Sequence, residues 1–375
     1  MNRIIPLLLL LSWPVFCQPY KLALVGLNHD HVWTQLPAML RGDLARLVGI
    51  AETLPDRVAR VQKEETTQQA GQRPAVSSSL IFSDWKKMID DVKPDIVWAF
   101  IETSRHLEVV QYCAPRKIHV IFEYPLAVKY RDALEIQRLA KQYDTKVLTN
   151  YVYWSWTAPT YAAKAAVDAG AIGHVYRLSG LNGHGGPGDY RQSTFFRWLM
   201  DAEKNGGGAG VDFAAPLVVW ALWVKGLPQS VFAHMLYLRP EEYNDVDDNA
   251  TIILNYKDAV AILEGTWNMA AGPTFSNQIM GRSGSLVVGR GGVEMYKPGD
   301  KPASGGRAPA AVTKLPVEPL PPEKSGALAY MVDRIRKKLP LEDMSALDIN
   351  VQVVELFEAA ANSARTGRAV NLPLR

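Results

Sequence analysis

Through the first 150 residues, short apolar runs alternate with stretches of helical periodicity. Lys21–Gly26, Leu44–Ala51, Leu80–Phe82, Asp95–Ile101, Ile118–Phe122 and Lys146–Thr149 read as strands buried on both faces. Between them the clearest helix is Val128–Tyr143, which places Ala133, Ile136, Leu139 and Ala140 on one face. This alternation predicts βαβ units on a doubly wound parallel sheet. Beyond Asn150 the pattern changes: a helix over Ala158–Ala169 precedes the runs Val231–Leu238, Ala250–Tyr256 and Val260–Trp267, which suit a large, mostly antiparallel sheet. Such an α+β unit has helices on one face of the sheet and leaves the other free to meet a partner subunit. Residues 19–149 and 150–375 are therefore expected to be separate domains. Pro298–Pro322, rich in Pro, Gly and Ala, is expected to be a surface excursion, and the last helix to begin at Ser345 as N-cap with Asp348 three residues on.

A chain of 375 residues fits two domains at about 150 residues each. The 48% hydrophobic and 21% charged content excludes a disordered or fibrous chain. The net charge of +3 is too small for a protein that tracks phosphates, so no nucleic acid is expected, and Arg334, Arg336, Lys337 and Lys338 read as a solvated helix end. At the N-terminus, Asn2 and Arg3 precede the apolar run Ile4–Leu11, and Val15-Phe16-Cys17 stands before Gln18. Residues 1–17 read as a Sec-type signal peptide, which predicts a periplasmic or secreted protein without a transmembrane segment. Lipid attachment at Cys17 is disfavoured by the bulk of Phe16. Cys113, in an apolar helical run, is expected to be a small buried hydrophobe.

Gly26 stands where the first strand hands over to a helix, the point at which backbone N–H groups of a dinucleotide fold approach a pyrophosphate. Gly26-Leu27-Asn28-His29-Asp30-His31 keeps only the first glycine of that fingerprint. Glu52, ending the second strand, is either an exposed strand-end residue or the carboxylate that accepts bonds from a ribose, which would favour NAD over NADP. His29 and His31, two apart, are expected to diverge, and with no companion cluster no metal is expected. They read instead as loop residues near a phosphate or substrate, and His119 as structural.

Ala23-Leu24-Val25-Gly26, Thr103-Ser104-Arg105-His106, Ile118 through Ala127 with its Glu123-Tyr124-Pro125, and Gly206 through Asp212 follow one another in order. Together with Ala169 through Val175 and Ser363 through Val370, they make the chain resemble the Gfo/Idh/MocA family, the relatives of glucose-fructose oxidoreductase and inositol dehydrogenase. The resemblance implies an N-terminal Rossmann domain and a C-terminal α/β domain whose open sheet makes a homo-oligomer interface. It also implies a nicotinamide cofactor, NAD or NADP, held by Gly26, Asn28, His29, His31, Glu52, Ser104, Arg105, His106, Glu123 and Pro125, with Glu123 orienting the ring.

Two departures bear on mechanism. Members of the family usually carry Glu-Lys-Pro where this chain has Glu123-Tyr124-Pro125, and Asp-x-Gly-x-His where it has Asp212-Phe213-Ala214-Ala215-Pro216. Tyr124 either handles a proton with help from a nearby positive charge or is an aromatic plug in a degenerate site. Pro216 cannot transfer a proton. His184, in Asn182-Gly183-His184-Gly185-Gly186 at a strand end, is the candidate to replace it, so the expected catalytic set is Tyr124, Asp212 and His184. Tyr153, Trp156 and Trp198 are aromatic candidates for stacking on a sugar ring, with domain packing as the alternative. The leading expectation is hydride transfer between a carbohydrate carbon and a nicotinamide. A closed redox-elimination cycle on a glycoside is the second, favoured by export, and a non-catalytic carbohydrate-binding relative the third.

Overall fold

A computed structural model describes residues 19–374 except 68–70, 153, 244–245, 272–274 and 300–309. Residues 1–17, where a signal peptide is expected, and Tyr153 lie outside the described residues. The first domain runs β1 (Tyr20–Val25), α1 (His31–Arg41), β2 (Ala45–Ala51), α2 (Pro55–Val61), the hairpin β3 (Glu65–Thr67) and β4 (Gly71–Arg73), and β5 (Ile81–Phe82). It continues with α3 (Trp85–Val92), β6 (Ile96–Ala99), α4 (His106–Cys113), β7 (His119–Glu123), α5 (Tyr130–Tyr143) and β8 (Val147–Asn150). A six-stranded sheet of order β5-β2-β1-β6-β7-β8 results, parallel throughout. The sequence pattern located every one of these sheet strands to within a residue or two at each end.

Alternation along the strands divides the core into two layers. Ala23, Val25, Val97, Ala99, Val120 and Phe122 face α3, α4 and α5, while Leu22, Leu24, Ile96, Trp98 and Leu148 face α1. Each fully buried Leu, Ile, Val or Phe contributes about 1.5–3 kcal/mol. Cys113 is among the buried residues of the first layer, and burial pushes its thiol up to about 12.

The second domain contains α6 (Ala158–Asp168), β9 (Val175–Gly183), α7 (Thr194–Leu199), α8 (Ala202–Asn205), α9 (Ala215–Lys225), β10 (Ser230–Leu236) and α10 (Pro240–Tyr243). Then come β11 (Asn249–Asn255), β12 (Val260–Thr266), β13 (Phe275–Gly281), β14 (Gly284–Gly289), β15 (Gly292–Pro298), β16 (Ala310–Lys314), α11 (Ala327–Arg336), α12 (Leu347–Thr366) and β17 (Val370–Asn371). Its nine-stranded sheet has the order β16-β15-β14-β13-β9-β12-β11-β10-β17, with only β9 and β12 parallel. The helix α9, apolar on all sides, fills the layer between this sheet and α12.

Three expectations need correction. Part of the Pro298–Pro322 stretch is not a free excursion, because Ala310–Lys314 pairs with β15 as an edge strand through its backbone. Ser345 does not cap the last helix: it sits buried in a short 3₁₀ turn, Ala346 takes the N-cap position, and the Asn350 amide covers the carbonyls of Met344 and Ala346. A division at Asn150 does not describe α11, whose Leu328, Tyr330, Met331 and Val332 pack with the α1 layer of the first sheet. In the first domain that face is covered by α1 with Val61 of α2, and α11 completes it. The segment Ala202–Lys225 has the length and apolar composition of a membrane-crossing helix, but 72% of its apolar window is buried inside the protein.

Candidate active site

The first cavity, about 510 Å³, opens at the carboxyl ends of β1, β2 and β6, where ligands bind in open parallel sheets. Gly26 turns there with φ +73°, and a Cβ would collide with Ile101 and crowd the Phe100 carbonyl. Glu52 is buried, which removes its exposed-residue reading. Its Oε2 accepts the Leu27 N–H at 2.7 Å, and its Oε1 accepts the N–H groups of Thr53 and Leu54 at 2.6 and 2.9 Å. The N–H groups of Asn28 and His29 both go to the Phe100 carbonyl. The turn's own donors are thus largely spent, and an anion in this cavity meets Arg105, Arg197 and Lys204 instead. Asn28 Oδ1 and Trp198 Nε1 are buried without hydrogen-bond partners beside the same space. Carboxylate, cations and unsatisfied polar atoms together fit the adenosine and phosphate portion of a dinucleotide.

The second cavity, about 370 Å³, is lined by His29, His31, Tyr124, Asn182, His184, Asp212, Pro216 and Arg290 among others. A π-helical turn, Gly210–Ala214, projects Asp212 and Phe213 into it. The glycines before it are required by close approach: Gly208 and Gly210 N–H donate to the buried Asp247 carboxylate at 2.9 and 2.7 Å, and a Cβ on Gly208 would strike the Asp247 carbonyl. Asp212 Oδ2 accepts the Trp267 indole N–H at 2.9 Å. Burial raises the Asp212 carboxyl above the ordinary range, against the opposing pull of the Trp267 donor, His184 and His31. Tyr124 O–H donates to the Asp212 carbonyl at 3.0 Å and its ring stacks on Tyr151. His184 Nδ1 accepts the Gly186 N–H at 2.9 Å, so in the neutral ring Nε2 carries the proton.

His29 and His31 do not diverge. Their ring centroids are 4.4 Å apart, because the chain turns into α1 between them rather than running extended. His31 Nδ1 lies 2.7 Å from Glu123 Oε2, and Glu123 Oε1 accepts the Asn150 amide at 2.8 Å. Burial lowers the His29 ring well below its ordinary range, with His31 and His106 adding to the effect. On its other side His29 meets Phe195 at 4.6 Å and Trp198 at 5.7 Å, so α7 forms the wall between the two cavities.

The structure thus gathers Tyr124, Asp212 and His184 in one cavity with His29 and His31, and Gly26, Asn28, Glu52 and Arg105 in the other. Glu123 and Pro125 lie buried behind them. Ser104 is exposed and lines neither cavity. His106 is buried, bonds to the Leu126 carbonyl at 3.0 Å and stacks on Phe122, so it braces the loop after β7. Trp156 also lies outside the cavities, donating to Asn150 Oδ1 and packing on Tyr330. Trp198 faces the first cavity rather than a sugar site. His119 accepts the Lys146 N–H, a structural role. Sequence reasoning passed over Arg197, Lys204, Trp267, Asp247 and Arg290. Only the turn between β14 and β15 carried a signal, in the glycines flanking Arg290.

The model of an oxidoreductase family with an NAD-binding Rossmann fold, GFO/IDH/MocA, matches residues 21–151, and that of the GFO/IDH/MocA C-terminal domain matches residues 160–287. The chain is 26% identical over 241 residues to the uncharacterized oxidoreductase YdgJ of Escherichia coli, a match spanning 64% of this chain and 65% of that relative, just under two thirds of its length. Among solved structures, an aldose-aldose oxidoreductase from Caulobacter crescentus complexed with glycerol is similar with a TM-score of 0.76 and 19% identity, over 95% of this chain and 100% of that one. A levoglucosan dehydrogenase complexed with NADH and levoglucosan is similar with a TM-score of 0.73 and 21% identity, again over 95% and 100%. At these identities the structural likeness speaks for the fold.

Proposed function

The chain belongs to the GFO/IDH/MocA oxidoreductase family, and from that premise we propose that it is a nicotinamide-dependent dehydrogenase acting on a secondary hydroxyl or carbonyl carbon of a carbohydrate. One observation carries this reading: a cavity suited to a nucleotide shares the wall of His29 and α7 with a cavity holding Tyr124, His184 and Asp212. The aldose in the name of one structural neighbour and the levoglucosan bound by the other support the substrate class.

When bound, the cofactor would supply hydride acceptance and donation. The protein does the rest. Glu52 faces the ribose end and favours NAD over NADP, while Arg105, Arg197 and Lys204 meet the phosphates. Asp212, with its carboxyl raised by burial, accepts the proton of a substrate hydroxyl, and His184 donates from Nε2 to a substrate oxygen. Tyr124 fixes the π turn through its bond to the Asp212 carbonyl and closes the cavity floor. Export by the N-terminal segment and assembly through the open face of the second sheet, where Tyr176 and Val312 are exposed, complete the proposal.

The test is to denature purified protein and assay the supernatant for NAD and NADP by mass, then titrate both into the emptied protein by calorimetry. Binding of NAD, followed by a redox change with a sugar or polyol, is expected. Protein that neither carries nor binds either dinucleotide overturns the reading.

A further inference from the structure

We propose that His29, His31 and Glu123 form a binding site for a divalent first-row transition-metal ion in the second cavity. The proposal goes beyond the nicotinamide reading and does not rest on it. One ligand atom from each residue lies within 4.8 Å of the other two, close enough for small side-chain movements to bring all three onto one ion. Metal–nitrogen and metal–oxygen bonds of about 2.0–2.2 Å place neighbouring donors roughly 3 Å apart. His31 Nδ1 and Glu123 Oε2, 2.7 Å apart as a hydrogen-bonded pair, need to part by only a few tenths of an ångström. The other exchange is the bond from His31 N–H to His29 Nδ1, which at 3.3 Å is already long. Two imidazoles with one carboxylate suit Zn²⁺, Mn²⁺, Fe²⁺ or Co²⁺, whereas Ca²⁺ and Mg²⁺ prefer oxygen.

The surroundings are those of a built site. Glu123 Oε1 is held by the Asn150 amide, and Asn150 Oδ1 accepts the Trp156 indole N–H at 2.8 Å, an outer layer that fixes the carboxylate's direction. Asp30 is turned away, its carboxylate taken by Arg57 and Trp33, so it does not compete for the ion. Among the described lining residues, the cavity carries the Asp212 carboxylate and no lysine, with Arg290 its one lysine or arginine. Glu123 adds a second, buried carboxylate. The Tyr124 ring lies 6.4 Å from that of His31, so a doubly charged ion here would add positive charge among a phenol and two carboxylates.

The experiment uses the full chain without a histidine tag, purified without chelators. Bound metals are measured by plasma mass spectrometry, then Zn²⁺ and Co²⁺ are titrated into dialysed protein, with Co²⁺ read by its visible absorption. About one equivalent per chain and nitrogen-rich Co²⁺ bands are expected. His29→Ala and Glu123→Gln should weaken binding about 100-fold or more, and Asn150→Ala, outside the ligand set, by about 10–100-fold. Circular dichroism confirms that each variant is folded, and Asn150→Ala keeps the test intact if a ligand variant is not. Wild-type protein that binds Zn²⁺ and Co²⁺ no better than His29→Ala overturns the proposal and leaves His31–Glu123 as a metal-free pair. Protein that binds NAD but no ion overturns this site alone, and protein that binds the ion but no dinucleotide overturns only the dehydrogenase reading.

Discussion

The Glu52 carboxylate accepts the Leu27 N–H at 2.7 Å, tying the end of β2 to the turn after β1. The residue proposed to meet the ribose is therefore also a structural clasp. Glu52→Gln turns one acceptor into a donor facing another donor, and should cost about 1–3 kcal/mol in urea unfolding. NAD affinity should fall while NADP affinity changes little, because the carboxylate that repels a 2′-phosphate is gone. Equal losses for both dinucleotides in calorimetry would show that Glu52 serves the turn only.

Tyr124→Phe separates an acid-base role from an anchoring one. The variant leaves the Asp212 carbonyl without its donor, which should destabilise the fold by about 1 kcal/mol. If the phenol only anchors the π turn, KM rises and kcat stays near wild type, and this is the expected outcome. A drop in kcat of about 100-fold with unchanged KM would instead make Tyr124 a proton-transfer residue.

Asp212 carries a cost that function explains. Its carboxyl is raised in the fold by burial, so the folded protein holds the proton more tightly than the unfolded chain. The associated stability is present at low pH and is lost as pH rises through the folded value. Asp212→Asn still offers Trp267 an acceptor and never ionises. It should be more stable than wild type at pH 7–8, with the difference vanishing below the ordinary carboxyl range near 4, and turnover should fall by about 100-fold. Thermal unfolding from pH 4 to 8 checks the first part, and initial rates the second.

Much of this was legible in the chain. β6 is buried at every position, so it appears as an unbroken apolar run, and Gly26, Glu52, Asp212 and His184 fall where strands or the glycine run end. What could not be read was tertiary. Nothing local in Ala327–Arg336 says that it packs on the first sheet, and Arg197 and Lys204 reach the first cavity only through the docking of the second domain. The convergence of His29 and His31 was misjudged because it depends on where α1 begins, and the partner that completes the cluster, Glu123, is 92 residues from His31.

His106 should account for part of the acid sensitivity of the fold. Burial pushes it down to about 4, against the pull of nearby carbonyls. Above pH 6.5 the ring is neutral in both states, but between about 6.5 and 4 the unfolded chain binds a proton that the fold refuses, so stability falls with pH over that window. His119, also lowered to about 4 by burial, adds to the slope. His106→Gln should lose about 3 kcal/mol less than wild type between pH 7 and 4. Parallel acid limbs in urea titrations of the two proteins would show that this ring does not titrate as its burial requires.

The wall between the cavities gives the sharpest test of how a dinucleotide would lie. Phe195 and Trp198 reach from α7 to the His29 ring, with Thr194, Arg197 and Trp198 facing the nucleotide side and Phe195 and Phe196 the substrate side. In the proposed reading, with adenosine by Glu52 and the reactive ring by Asp212, the cofactor would part this contact, so α7 is expected to shift when it binds. α7 is a short helix whose Phe195, Trp198 and Leu199 are buried in one cluster, so its shift has to loosen that packing. Hydrogen exchange of the amides of residues 194–199 should change by about tenfold on saturation with NAD, while β1 and β6 stay protected in both states. Unchanged exchange in α7 under saturating NAD would mean that the nucleotide stops at the first cavity and that the second works without the nicotinamide ring.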